Sequence, residues 1–112
     1  VIERDRLFLA PILAAIERIE RFTADGRAAF MADEKTQSAV MRQLEIIGEA
    51  AKRMSDTLKG SAADIPWREI SATRDRLIHG YFSVKLEIVW NVVERDLVGL
   101  KRRIAELLAS GG

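Results

Sequence analysis

Three observations predict an all-α fold, an antiparallel bundle of four to five helices. Apolar residues recur every three to four positions from end to end, no stretch alternates as a strand would, and turn formers are few. The 112 residues include 2 prolines and 7 glycines, and aromatics are 6 %, whereas a turn-rich β-sandwich carries more of both. One hydrophobic core suits this length, so residues 1–112 are expected to form a single domain. No repeat, low-complexity tract or linker divides them.

The first helix carries Phe8, Ile12, Ile16 and Ile19 on one stripe, widened by Leu9, Leu13 and Phe22, with Glu17, Arg18, Glu20 and Arg21 off it. Pro11 removes the amide that would bond the Leu7 carbonyl, which predicts a kink or a helix starting near Ala10. Asp25-Gly26 reads as a stop, and a short helical turn is expected over 27–32. Asp33 suits an N-cap, with Glu34 in the first turn, where negative charge meets the positive end of the dipole. Val40, Leu44, Ile47, Ala51, Met54 and Leu58 then form one stripe of about 25 residues, ended by Gly60. Gly48 lies inside it and weakens the helix by roughly 1 kcal/mol against alanine unless a neighbouring helix packs close there.

Pro66 fits the first position of a helix running towards Phe82, with Trp67, Ile70, Leu77 and Ile78 apolar and Gly80 as its stop. Ser83 is expected to cap the last helix. Its stripe, Leu86, Trp90, Val93, Leu97, Leu100, Ile104 and Leu107, alternates steps of four and three, the seam of an antiparallel bundle. Ser110-Gly111-Gly112 reads as a frayed tail.

Composition excludes several chemistries. Hydrophobic residues are 48 % and charged residues 31 %, too apolar a balance for disorder. With 0 cysteines there are no disulfides, iron–sulfur clusters, thiolate zinc sites or cysteine nucleophiles. The single histidine precludes a poly-histidine metal site within one chain. No glycine-rich phosphate loop, Ser-His-Asp order, EF-hand or zinc spacing is present, so no cofactor is expected. Lys+Arg 18 against Asp+Glu 17 neither demands nor forbids a nucleic-acid partner. No apolar run approaches the roughly 20 residues of a membrane span. The mixed charges of Glu3-Arg4-Asp5-Arg6 do not resemble a signal peptide, and a cytoplasmic location is expected.

Chemistry concentrates in Arg74-Asp75-Arg76-Leu77-Ile78-His79-Gly80-Tyr81, which holds the only histidine and the only tyrosine. Guanidinium binds phosphate oxygens in pairs and stays charged, while imidazole moves a proton near neutral pH. Asp75 and His79 are four apart and face each other on a helix, so Asp75 can orient the ring. Arg74 lies about 140° around the axis from His79, so the two share a pocket only over the helix or between subunits. Taken bare, a lone histidine near a helix end is more often structural or solvated, and Tyr81 a core-edge aromatic.

The order of motifs goes further. Arg74, His79 and Tyr81 match an R-x4-H-x-Y motif, with Asp75 as the polar residue after the arginine. On these residues the chain resembles the HepT-like family of the HEPN superfamily, the toxin half of bacterial and archaeal toxin–antitoxin pairs. Leu44-Glu45-Ile46-Ile47-Gly48-Glu49-Ala50-Ala51-Lys52-Arg53 resembles that family's second-helix signature, and Ile65-Pro66-Trp67-Arg68-Glu69-Ile70 its approach to the motif. Leu86-Glu87-Ile88-Val89-Trp90 extends the similarity into the last helix. Gly80 stands where relatives often carry an acidic residue.

The resemblance implies a metal-independent endoribonuclease acting as a homodimer, with the motifs of two subunits facing across a cleft. His79 would move protons to and from RNA, Arg74 would stabilise the phosphorane, and Asp75 would support them. Tyr81 resembles the tyrosine adenylylated by a minimal nucleotidyltransferase antitoxin, MntA. Dimer burial is expected partly from apolar stripes of the first and last helices that one chain does not fully cover. Arg68, Arg76 and Lys85 are candidate RNA contacts, and Trp67, Tyr81 and Phe82 candidate stacking partners for bases, Trp67 reading better as core. Glu45 and Glu49 read as a solvated face, with Glu49 pairing to Arg53, and Lys101-Arg102-Arg103 as structural. The other reading is a non-catalytic HEPN module that binds and regulates a nucleotidyltransferase.

Overall fold

The structure, a computed structural model, describes residues 2–79 and 85–110. Gly80, Tyr81, Phe82, Ser83 and the Gly111-Gly112 tail lie outside them, and with them the expected stop, the expected cap and the phenol.

The described residues form an all-α bundle without strands. Its helices are α1 (Glu3–Phe22), α2 (Arg27–Ala32), α3 (Glu34–Lys52), α4 (Asp56–Ser61), α5 (Trp67–His79), α6 (Leu86–Asn91) and α7 (Leu97–Ala109). A π-helical stretch, Val92–Asp96, joins α6 to α7, so the expected single last helix changes its winding midway. There Trp90 Nε1 donates to Glu94 Oε2 at 3.1 Å.

α1 runs through Pro11 and starts at Glu3 rather than near Ala10. Pro11 and Leu7 are both exposed, so the carbonyl that loses its donor sits on the solvent side, where water can replace the bond. Tertiary bonds hold the first turn: Arg4 donates to the Arg53 carbonyl at 2.9 Å, and Asp5 accepts from the Ser55 N–H at 2.9 Å and the Ser55 hydroxyl at 2.6 Å. Asp5 is 1 % exposed, and its carboxylate is therefore a bonded polar group within an apolar layer.

The same contact corrects the long stripe through Leu58. Helix α3 stops at Lys52 and α4 restarts at Asp56, because Ser55 turns the chain and its Oγ accepts from the Leu58 N–H at 3.1 Å. Met54 and Leu58 are still buried, so the stripe identified core residues across a break in the helix.

Asp33 caps α3 as expected, accepting from the Lys35 N–H at 3.1 Å and the Thr36 hydroxyl at 2.6 Å. That hydroxyl bond leads the causes that hold the Asp33 carboxyl below its usual range. Helix α1 ends at Phe22, before the expected stop, and Gly26, at φ +91°, a value that favours glycine, stands just ahead of α2. Pro66 immediately precedes α5, its carbonyl accepting from Ile70 N–H at 3.0 Å, one position earlier than expected.

Helix α1 lies antiparallel to α3: Asp5 meets Ser55 at one end, and Arg18 reaches Gln43 at 3.4 Å further along. Helix α3 packs against both α1 and α5, and α1 also against α7. Leu9, Ile12, Ile16 and Ile19 of α1 are all at most 1 % exposed, and Leu97 and Ile104 are buried. The two stripes are covered only in part within one chain: Phe22 is exposed, and Leu86, Val93, Leu100 and Leu107 are half-buried. Leu7, Ile88 and Val98 are exposed beside them.

The basic run on α7 is mostly structural. Lys101 bonds Glu20 of α1 at 2.9 Å, and Arg103 holds Asp64 through 2.6 and 3.1 Å contacts and Glu106 at 3.1 Å. The Arg103 bond holds the Asp64 carboxyl below its usual range, and Asp64, then Glu106, hold the guanidinium above its own.

Candidate active site

Gly48 decides where the motif arginine sits. A Cβ built on Gly48 would fall 2.2 Å from the Arg74 Cβ and 3.0 Å from the Ile70 carbonyl oxygen. The lack of a side chain is thus what lets α5 lie against α3 at this level, the close packing that the sequence made the condition for a glycine there.

The seated arginine meets acid from both helices. Its Nη2 pairs with Glu49 Oε2 of α3 at 3.0 Å, and its Nη1 donates to Asp75 Oδ1 at 3.2 Å. Glu49 Oε1 also accepts from Arg53 Nε at 3.1 Å, and Asp75 Oδ1 lies 3.9 Å from Lys52 Nζ. Three cations thus alternate with two carboxylates along the α3–α5 seam. Arg74 Nε is buried and without a hydrogen-bond partner, although the side chain as a whole is 25 % exposed.

Residues 12–107 match the ribonuclease HepT-like family. The chain belongs to that family. The Thermococcus cleftensis protein named "Probable ribonuclease HepT" is 45 % identical over 101 residues, 89 % of this chain and 92 % of the relative. The Methanocaldococcus jannaschii protein named "Putative RNase MJ0127" is 38 % identical over 104 residues, 92 % of this chain and 86 % of the relative. No solved structure gave a significant match.

In this HepT-like chain the two motif residues open onto different clefts. Arg74 lines one of about 260 Å³ with Phe8, Arg42, Glu45, Ile46, Glu49, Arg53 and Ile78. His79 lines another of about 510 Å³, walled by Leu77, Ile88, Val89 and Val92 and rimmed by Thr73, Asp75, Arg76 and Lys85. The divergence follows from the 100° step of the helix. Asp75 spends its carboxylate on Arg74 and Lys52, and no side chain among the described residues bonds His79. The pairing expected of Asp75 and His79 is not formed; the carboxylate meets Arg74 and Lys52 instead, both through Oδ1.

Arg76 and Lys85 share the histidine's cleft, and Arg68 is exposed eleven residues before His79, nearly in line with it on the helix. Arg74 is already paired, whereas these three form no ion pair among the described residues. Trp67 is core, buried with its Nε1 donating to the Ala62 carbonyl at 3.1 Å. Glu49 is the residue that sequence reasoning undervalued. Its Arg53 partner was visible at four-residue spacing, but the Arg74 pairing joins residues 25 apart.

Proposed function

We propose that this HepT-like chain is an endoribonuclease that needs no metal, cuts RNA by 2′-hydroxyl attack at a site composed of two copies, and acts as the toxin of a toxin–antitoxin pair. The observation that carries this reading is Arg74, seated by Gly48 and flanked by acids, on the same helix as an exposed His79. A second copy resolves the divergence of the pair, because a two-fold contact can bring the arginine of one chain to the histidine of the other. Ile78 supports such a contact. It is 44 % exposed, one helical turn after Arg74, and shares that cleft with the half-buried Phe8 and Ile46.

In the reaction a neutral His79 takes the 2′-hydroxyl proton as the 2′-oxygen attacks phosphorus. The P–O5′ bond breaks, and a protonated His79 from the other copy delivers a proton to the leaving 5′-oxygen. Arg74 stabilises the charge growing on the phosphorane, while Arg68, Arg76 and Lys85 hold flanking phosphates. The products are a 2′,3′-cyclic phosphate and a 5′-hydroxyl. Tyr81, two residues after His79, is the proposed adenylylation site for a minimal nucleotidyltransferase antitoxin. The adenylate places negative charge and a purine beside a phosphate site.

The test is cleavage of RNA in excess chelator. The parent should give 2′,3′-cyclic ends, a 2′-deoxy substrate should resist, and His79→Ala and Arg74→Ala should each slow cleavage by roughly 10² or more. With the nucleotidyltransferase and ATP present, the parent should be silenced and Tyr81→Phe should keep cutting. Cleavage of the deoxy substrate, or activity lost to chelator alone, would refute the mechanism.

A further inference from the structure

We infer that Glu49 is the positioning residue for Arg74, fixing the guanidinium for phosphate from the neighbouring helix. The inference rests on the ribonuclease reading and adds to it a residue outside the motif. Three observations carry it. Glu49 Oε2 lies 3.0 Å from Arg74 Nη2, while Asp75 holds Nη1 at 3.2 Å, so acids on two helices grip the two terminal nitrogens. Glu49 is itself tethered, because its other oxygen accepts from Arg53 Nε at 3.1 Å on the next turn of α3. Gly48, its neighbour in sequence, sets the spacing of the two helices at the Arg74 Cβ.

An arginine side chain has four rotatable bonds, and an untethered guanidinium would sweep a wide arc before meeting a phosphate. Here its stem is packed against Gly48, its Nε is buried, and its two terminal nitrogens are held by separate carboxylates. Each terminal nitrogen carries two N–H groups, so one on each remains for phosphate oxygens. Glu49 touches no reacting atom in this arrangement. It acts by keeping Arg74 in place, which affects the transition state more than the encounter with RNA.

The experiment compares the parent with Glu49→Ala and Glu49→Gln in steady-state cleavage of a short single-stranded RNA, with circular dichroism to show the fold retained. Glu49→Ala should lower kcat by roughly tenfold to a hundredfold with KM within about twofold. Glu49→Gln, which keeps the shape and one oxygen facing Arg74, should recover much of the loss. Nitrogen-15 NMR supplies a readout independent of cleavage. The Arg74 Nε–H should exchange slowly with water in the parent and in Glu49→Gln, and faster in Glu49→Ala. A Glu49→Ala enzyme as fast as the parent or faster would overturn the assignment, as would Glu49→Gln falling as far as alanine. Equal exchange in the parent and Glu49→Ala would overturn it too. If the parent cuts no RNA, the ribonuclease reading fails, and the exchange rates still decide whether Glu49 holds the arginine.

Discussion

Gly48 turns one missing methyl group into the placement of the motif arginine. Alanine there gains about 1 kcal/mol of helix propensity but brings a Cβ to 2.2 Å from the Arg74 Cβ, so α5 has to move. Forcing a group into such a contact costs typically 1–3 kcal/mol, and we expect Gly48→Ala to lower the denaturant midpoint and to weaken cleavage through Arg74. Gly60, which has nothing within 4 Å of a built Cβ, is the control, and Gly60→Ala should be neutral or stabilising. An unchanged midpoint for Gly48→Ala would mean that the helices separate without penalty. From sequence, Gly48 signalled that some helix packs close. Which residue it admits depends on the register of α3 against α5, a tertiary property that helical periodicity does not encode.

At the scale of elements, the break between α3 and α4 is held by a residue 50 positions away in sequence. Asp5 accepts both the N–H and the hydroxyl of Ser55, while Ser55 accepts from Leu58 and starts the next helix. Asp5→Ala removes the acceptor of a part-buried N–H and hydroxyl, which should destabilise the chain by about 1–3 kcal/mol in thermal or chemical unfolding. Ser55→Ala should cost about 1 kcal/mol as a lost cap, and the double variant should fall short of the sum because the two residues share one network. Full additivity would show that the contact does not link α1 to α4. Periodicity revealed which residues between Val40 and Leu58 are buried, because a break that keeps the face in register leaves the stripe intact. The break itself was hidden because its cap depends on Asp5, which reads in sequence as one more charge near the start. Pro11 does not set the start of the helix near Ala10. Its local penalty is real, but solvent on that face and the Arg4 and Asp5 tethers carry the helix past it.

For the whole molecule, the all-α class was legible because most of the chain is strongly periodic. The motif residues were legible because their types and order are local. Their division between two clefts was legible only as an angle, and the pairing of Asp75 with Arg74 and Lys52 not at all. Two chains joined across the motif helix would make the division functional. Adding an excess of the Arg74→Ala/His79→Ala double variant to the parent should then trap parent chains in heterodimers that hold one histidine and one arginine, and cleavage should fall. Cleavage unchanged, after incubation long enough to exchange subunits, would place the working site within one chain. The split clefts also bear on dosage. On the proposed two-copy site, a chain that presents its arginine on one side of a helix and its histidine on the other would be half of a catalyst, so at dilutions where chains separate the rate should rise with the square of their concentration. Low expression would then keep the activity silent with every chain correctly folded, and a few-fold rise in abundance would release it disproportionately.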